Sequence, residues 1–285
     1  MNSDISPPSL DAMPFNALKE VLNYLKLKER SILRKVDRTL RKAVDNNYAT
    51  VNLALDFYNS RVYLTLDELP PIEYCNIGDD VCAMNVGQRL YFENPNTRIN
   101  LKLRWNHLEE EFERLCETLE DFFDERARNG LEGLCIETLD VETSDGDEIA
   151  QLMTWIDVNT ITFLRIHTNQ IMLSDEDVEE FTETLQWQRI RKFQLVGCSD
   201  LPHNFLNNLG NVSFFSIDRP NFKEFSLANL FMFVATDLNQ SENFKYGQII
   251  FENFDLPAPL FNTYLPVGNV AITFYTNLII LRKLD

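Results

Sequence analysis

The three histidines of the sequence do not group with other residues that could form a catalytic or metal site. His107 falls in the first turn of a predicted helix, His167 at the end of a predicted strand and His203 beside a proline. None has another histidine or a cysteine at the spacing that a zinc site requires. Each is therefore interpreted as a surface or capping residue rather than a base or a metal ligand.

The acidic run DVETSDGDE, residues 140–148, resembles a calcium-binding loop at first sight. An EF-hand loop needs a glycine at its sixth position and a glutamate at its twelfth, and this run meets neither requirement. A turn from strand to helix explains it better, because acidic side chains are favourable at the positive N-terminal end of a helix. Ser144 is the predicted cap of that helix.

The cysteines and the common catalytic motifs give no indication of an enzyme. The five cysteines are odd in number, are scattered and show no CxxC spacing, so neither a zinc site nor a disulfide framework is predicted. Phosphate-binding glycine loops, the nucleophile motif GxSxG and the zinc motif HExxH do not occur. The sequence therefore predicts a non-catalytic protein with no cofactor, no metal and no catalytic residue.

The charge of the chain is distributed unevenly. The formal net charge is −18, yet residues 12–50 hold nine Lys or Arg against four acids. A DNA-binding helix-turn-helix is the alternative that this basic segment raises, but its link KLKER has no glycine and its third helix has few base-reading side chains. No signal peptide and no membrane-length apolar run is present. We expect no nucleic-acid or membrane partner, and an intracellular location in the cytoplasm, the nucleus or both.

After a flexible leader at residues 1–11, the basic segment predicts three short helices. The first begins just after Pro14, the second and third follow the KLKER link, and their apolar residues recur at helical spacing. Those apolar residues are Leu18, Val21, Leu22 and Leu25 in the first helix, Ile32, Leu33 and Val36 in the second, and Leu40 and Val44 in the third. The stripe lies on a module too small to bury enough surface by itself.

Residues 51–105 are predicted as a β-rich connecting segment. VYLTLDEL (62–69) and RINLKLRW (98–105) alternate apolar and polar residues, as half-buried strands do. A long helix follows, capped by Asn106 and ended by Asn129 and Gly130, with its many acids on a solvated face. Its apolar face is Leu108, Phe112, Leu115, Leu119 and Phe122.

The remainder of the chain, residues 106–285, alternates strand-like and helix-like stretches. Strands are predicted at 134–141, 161–167, 192–198, 212–217, 248–254 and 270–275, with residues 278–281 either covered by another segment or forming a last strand. Helices are predicted near 148–155, after Ser174 with Val178, Phe181 and Leu185 on one face, at 202–210 and at 227–238. This alternation predicts a mixed α/β fold, an irregular leucine-rich-repeat-like solenoid with a largely parallel sheet, in preference to a doubly wound sheet.

Residues 13–44 resemble an F-box, the three-helix module of ubiquitin-ligase substrate receptors. Met13 and Pro14 match the Leu-Pro start of the family, and Val21, Leu22 and Leu25 match its first apolar helix. Its Leu-Arg-x-Val motif is matched by Leu33, Arg34 and Val36, and its closing hydrophobe and arginine by Leu40 and Arg41. The residue pattern of this segment is similar to that of the nematode branch of the family.

The rest of the chain resembles the FTH domain that accompanies the F-box in the nematode F-box A-type family. The supporting stretches are FENPNTRINLKLRW, the segment at 134–167 and ETLQWQRIRKFQLVGC, in which Gln186 and Trp187 precede a strand. The two resemblances imply an F-box at residues 12–50 and an FTH-like repeat domain at 106–285.

The resemblance implies a substrate-recognition subunit of an SCF-type ubiquitin ligase. In the family, the F-box binds a Skp-type adaptor, which links it to a cullin scaffold, and the second domain binds a target protein. The residues carried over as adaptor-binding are Met13, Pro14, Leu18, Leu22, Leu25, Leu33, Val36 and Leu40. The basic surplus of the module would speed docking on an acidic partner. Residues 199–285 are the predicted target-binding region.

Three alternatives stay open at this point. The chain could be a non-catalytic scaffold or translational-regulation bridge that holds a regulatory protein without ubiquitin transfer. The three helices could be a cap packed wholly on the rest of the chain. An enzyme without a recognisable motif is the third alternative, and it would need a deep pocket with clustered polar groups.

Overall fold

Three short helices begin the part of the chain that the computed structural model describes. They are α1 (Phe15–Asn23), α2 (Leu27–Val36) and α3 (Arg38–Asp45). The described residues are 13–25, 27–45, 49–58, 61–66, 72–75, 97–105, 109–128, 130, 133–143, 145–168, 174–197, 202, 205–218, 227–251 and 262–284. The predicted link KLKER is wrong in its extent, because residues 27–30 form the first turn of α2.

The three helices enclose a small apolar core of their own. Leu18, Leu22, Leu40 and Ala43 are buried together. Asp37 separates α2 from α3 and caps α3, since its Oδ1 atom accepts hydrogen bonds from the backbone N–H groups of Thr39 and Leu40 at 2.6 and 3.4 Å. This side-chain cap explains how one helix can end and the next begin within a single residue.

In the described residues, twelve strands form one sheet. They are β1 (Ala49–Tyr58), β2 (Arg61–Leu66), β3 (Ile72–Cys75), β4 (Thr97–Trp105), β5 (Ile136–Glu142), β6 (Phe163–His167), β7 (Lys192–Val196), β8 (Phe214–Asp218), β9 (Tyr246–Ile250), β10 (Tyr264–Val267), β11 (Val270–Tyr275) and β12 (Leu278–Lys283). Their order across the sheet is β10-β11-β12-β9-β8-β7-β6-β5-β4-β1-β2-β3.

Seven of these strands are parallel and lie side by side in chain order. They run from β1 through β4 to β9, and antiparallel strands complete both ends of the sheet. The predicted mixed α/β class with a largely parallel sheet is confirmed. Strands β1 and β4 of the predicted connecting segment lie in the same sheet as the later strands, and residues 278–281 belong to the strand β12.

The remaining helical elements pack on one face of this sheet. They are α4 (Glu109–Arg128), α5 (Gly146–Thr154), α6 (Asp175–Thr182), α7 (Leu227–Phe233), the 3-10 turns Trp187–Arg189 and Phe205–Leu209, and the π-turn Val234–Leu238. Their buried side chains share one continuous core with the inward-pointing strand residues. None of the described helices is long and apolar enough to cross a membrane.

Several local predictions about these helices are wrong in detail. Asp145, rather than Ser144, caps α5, because its carboxylate accepts the backbone N–H of Asp147. Leu185 lies beyond the end of α6 and is 64% exposed, although its spacing extends the apolar stripe. Glu111 is buried, whereas the acids of α4 were all expected on a solvated face. Asn106 and Leu108 lie outside the described residues.

Gln186 and Trp187 connect three successive strand-helix units. The Gln186 side-chain amide donates to the carbonyl of Ile156 at 2.8 Å, and the indole N–H of Trp187 donates to the carbonyl of Asn208 at 3.3 Å. The Trp187 ring also meets the rings of Phe181 and Phe193 edge-on, at centroid distances of 5.4 and 5.3 Å. These contacts give a packing reason for a Gln-Trp pair before β7.

Candidate functional site

The residues predicted to bind an adaptor differ in how accessible they are. Leu18, Leu22 and Leu40 are buried in the core of the helical module. Met13, Leu25 and Leu33 are partly buried and pack against that core, while Pro14 and Val36 are exposed. Without a partner, the three buried leucines support the fold of the module. A partner could contact chiefly the exposed and half-buried residues.

Helix α2 carries an exposed apolar pair. Ile32 is 55% exposed and Val36 is 66% exposed, and side chains four residues apart lie on the same face of a helix. Tyr24, directly after α1, is also exposed. Sequence reasoning assigned Ile32 to the helix but omitted it from the predicted site, although its i, i+4 spacing to Val36 was readable.

The sheet has a second face, which the described helices leave uncovered, and we call it the open sheet face. Its side chains alternate along each parallel strand with the buried ones and are half-buried or exposed in the described residues. The strand register aligns them in rows that run across the sheet. Three rows follow from the pairing of β4 to β9, and each has its own chemistry.

The middle row is a ladder of charged and amide side chains. It consists of Lys102, Asp140, Arg165, Gln194, Ser216 and Gln248. Arg165 donates from Nη1 to Asp140 Oδ2 at 3.3 Å and from Nε to Gln194 Oε1 at 2.9 Å. Gln248 donates to the Ser216 hydroxyl at 2.9 Å. Most side chains of this row therefore satisfy one another.

The row nearer the carboxyl ends of the strands holds ion pairs. Arg104 lies between Asp56 and Glu142, with its Nε atom 4.0 Å from Asp56 Oδ1 and 3.3 Å from Glu142 Oε2. His167 follows Glu142 in the row, and its Nε2 atom is 3.3 Å from Asp140 Oδ1. Burial raises the pKa of Asp56, and the positive charges of Arg104 and Lys102 only partly offset that effect.

The row nearer the amino ends of the strands differs from the other two, and we call it the basic-aromatic row. It consists of Phe163, Lys192, Phe214, Tyr246 and Arg282 on five neighbouring strands. The Arg165 guanidinium lies 5.1 Å from the ring centre of Phe163, and the Lys245 ammonium lies 5.9 Å from that of Phe214. This row contains no acid.

A half-buried carboxylate lies at the start of α5, inside the acidic run. Glu148 accepts hydrogen bonds from the Thr143 hydroxyl and, at 3.3 Å, from the indole N–H of Trp105. Burial raises the pKa of Glu148, and these two donors only partly counter it. Burial also raises the pKa of the nearby Cys116 thiol to about 12, with a contribution from Glu148. The predicted strand-to-helix turn accounts for this cluster.

Two of the depressions that the described residues form lie on the surface of the sheet domain. One of about 340 Å³ is on the open sheet face between β1 and β6, and its lining includes Lys102, Asp140 and Arg165. The other, of about 650 Å³, lies below the amino ends of β7 to β9 and is lined mostly by amide and hydroxyl side chains. Within the described ranges, no three His, Cys, Asp or Glu side chains are grouped to hold a metal ion.

Of the histidines considered first, only His167 falls within the part of the chain that the structure describes. His107 and His203 lie outside it. Cys116 and Cys135 are buried, and neither is part of a disulfide. Cys82 and Cys198 lie outside the described residues, and Cys75 ends β3.

Comparison with models of known protein families identifies the central part of the chain. The FTH domain family model matches residues 113–259, slightly more than half of the chain. The matched segment begins in α4, includes β5 to β9 and therefore contains most of the basic-aromatic row. No curated protein matches the sequence.

Proposed function

Because the chain belongs to the FTH domain family, we propose that it is the substrate-recognition subunit of an SCF-type ubiquitin ligase. The FTH domain is an F-box-associated domain, and its presence is compatible with substrate recognition. In this proposal α1 to α3 are an F-box at residues 12–50 that binds a Skp-type adaptor and, through it, a cullin scaffold. The chain itself performs no catalysis and needs no cofactor.

The observation that carries the adaptor proposal is the exposed apolar pair Ile32 and Val36 on α2. A module whose core consists of four buried residues gains little stability from its own packing. An adaptor that covers the pair would remove apolar surface from water at about 25 cal/mol per Å². Excess positive charge in residues 12–50 supports fast association with an acidic adaptor surface.

We further propose that the FTH domain is an irregular solenoid whose open sheet face holds the target. The support is the succession of seven parallel strands in chain order, which is the arrangement of stacked β-α units. In such an arrangement the side chains of the uncovered face line up in rows and are available to a partner. Target capture followed by ubiquitin transfer would take place in the cytoplasm, the nucleus or both.

Co-purification with a Skp-type adaptor tests the proposal. The double variant Ile32→Ser, Val36→Ser removes the exposed pair and leaves the module's core intact, whereas substitution of Leu22, which is fully buried, would disrupt that core. We expect the full-length double variant to lose the adaptor. The control Glu20→Ser, at an exposed position of α1, should retain it. Equal retention by the double variant and the control would refute the proposal.

A second candidate function is a scaffold or translational-regulation bridge without ubiquitin transfer. Side chains in the middle row of the open sheet face hydrogen-bond to one another, as Arg165 does to Gln194 and Gln248 to Ser216. Such an ordered surface could hold a partner without any catalytic event, which favours a bridge. Target abundance after depletion of the protein separates the two functions. A rise in target abundance supports the ligase, and an unchanged abundance with lost regulation supports the bridge.

A further inference from the structure

The cations of the basic-aromatic row, Lys192 and Arg282, and the adjacent Lys245 have no acidic partner among the described residues of an otherwise acidic protein. The chain carries a net charge of −18. Among the described residues, no carboxylate lies within ion-pair distance of Lys192, Lys245 or Arg282. In contrast, Arg104 and Arg165 in the neighbouring rows are paired with carboxylates. Within the part of the chain that the structure describes, the row is therefore a local positive surface without a paired counter-charge.

The aromatic members of the row give the surface an apolar component as well. Phe214 is 40% exposed, and Phe163 and Tyr246 are half-buried. Exposed aromatic side chains at the centre of a surface are typical anchors of protein interfaces. The tyrosine hydroxyl already donates to Gln248 at 3.1 Å, so its ring is held in place.

The spacing of the row suits an extended chain that crosses the strands. Neighbouring strands lie about 4.8 Å apart, so the five side chains span about 19 Å. Phe163 and Phe214 are two strands apart, about 10 Å, which an extended peptide in the polyproline II conformation covers in one turn of about three residues, so that every third side chain faces the row. Lys192 lies on the strand between them, next to the peptide residues that would separate two apolar side chains.

We propose that the basic-aromatic row is the docking surface for an acidic peptide segment of the target, in which an apolar side chain recurs about every third residue. The proposal rests on the proposed function, because it names the chemistry of the target. Carboxylates of the segment pair with Lys192, Arg282 and Lys245, and its apolar side chains pack on Phe163 and Phe214. A nucleic acid fits less well, since its evenly spaced phosphates extend beyond these cations and would meet the acidic remainder of a chain of charge −18, whereas a short acidic segment contacts only the row.

Fluorescence anisotropy with the full chain tests the docking surface. The probe is a fluorescein-labelled peptide of three Glu-Glu-Phe repeats, and the comparison peptides have Lys-Lys-Phe or Glu-Glu-Ser repeats. We expect the first peptide to bind most tightly and its affinity to fall with added salt, because the attraction is between exposed charges. Tighter binding of the Lys-Lys-Phe peptide, or no binding of the Glu-Glu-Phe peptide, would overturn the proposal.

Surface variants locate the binding on the molecule. Lys192→Glu should weaken the Glu-Glu-Phe peptide about tenfold, because attraction becomes repulsion. Phe214→Ser should weaken it about threefold or more. The matched control Lys102→Glu makes the same change of charge on the same face, in the middle row, and should change the affinity less than about twofold. An equal loss in Lys192→Glu and Lys102→Glu would contradict a specific row.

Two further outcomes separate this surface from other accounts. If a labelled single-stranded oligouridine binds more tightly than the Glu-Glu-Phe peptide and loses affinity in Lys192→Glu, the row is a nucleic-acid surface and the proposal fails. If peptide binding follows the expected pattern while the adaptor is not captured through Ile32 and Val36, the docking surface stands and the ligase proposal fails. If the adaptor is captured and the peptide is not, only the docking surface fails.

Discussion

Replacing Gly247 by alanine should destabilise the sheet domain, because a ring occupies the place of the missing side chain. Gly247 of β9 pairs with Phe215 of β8, and a Cβ atom at Gly247 would lie 2.2 Å from Cζ and 2.5 Å from Cε1 of Phe215. Carbon atoms in contact lie at about 3.5 Å or more, so the ring has to move by more than about 1 Å.

The cost of that movement follows from the neighbours of the ring. Its centre lies 6.0 Å from the ring of Phe244 and 6.4 Å from that of Phe233, both fully or nearly fully buried. Overpacking costs about 1–3 kcal/mol, and disturbed ring pairs add to it. The lower entropy of the unfolded alanine chain offsets up to about 1 kcal/mol. We expect Gly247→Ala to lose about 2 kcal/mol.

Urea unfolding measures this loss as a lower midpoint at unchanged slope. Gly210→Ala is the matched control, since the nearest atom to its added Cβ, Asp237 Cβ, is at an ordinary 3.5 Å. Its free energy of unfolding should stay within about 0.5 kcal/mol of that of the unaltered protein. Adding Phe215→Leu to Gly247→Ala should recover part of the loss. Equal midpoints for Gly247→Ala and Gly210→Ala would refute the packing described for β8 and β9.

Three further predictions concern titratable groups. Backbone N–H donation from Thr39 lowers the pKa of Asp37 below 3.8. The cap of α3 therefore stabilises the folded helix at pH values above 3.8, and this stabilisation is lost as the pH falls through the folded pKa. NMR of the α3 amides should show this loss of stability, and the variant Asp37→Ala should not show it. Burial raises the pKa of Glu148 above 4.5, so the folded state binds the proton of Glu148 more tightly than the unfolded state does, and stability rises as the pH falls through the folded pKa. Glu148→Gln should raise the urea midpoint at pH 7 and remove this pH dependence. An unchanged dependence of the midpoint on pH would contradict the burial of this carboxylate. With its pKa raised to about 12, the Cys116 thiol should resist iodoacetamide at pH 8 in the folded protein and react in urea, as peptide mass spectrometry can check.

The alternation of the sequence was sufficient to predict the central strands, because each is short and half of its residues are buried. Strands β6 and β7 fall within or at the predicted segments 161–167 and 192–198. Strand β10 was not predicted, since Pro266 lies in its middle, and proline is tolerated there because β10 is at the edge of the sheet. Local periodicity cannot show where a strand lies in the sheet.

The open sheet face could not be predicted for a related reason. Its rows depend on the register between strands that are distant in the chain, as in the pairs Asp140–Arg165, 25 residues apart, and Lys192–Phe214, 22 residues apart. No local pattern specifies that register, because it is set by how the intervening helices pack. The helical module shows the opposite case, in which the apolar spacing was readable but the division into buried Leu22 and exposed Val36 needed the three-dimensional packing.

The most direct test of the adaptor proposal is amide hydrogen exchange of the full-length chain with and without a Skp-type adaptor. If α2 is the adaptor-binding surface, the adaptor slows exchange in α2, around Ile32 and Val36, and leaves the exchange of β6 to β9 unchanged. Protection confined to the sheet, or no protection of α2 at saturating adaptor, would contradict the adaptor proposal.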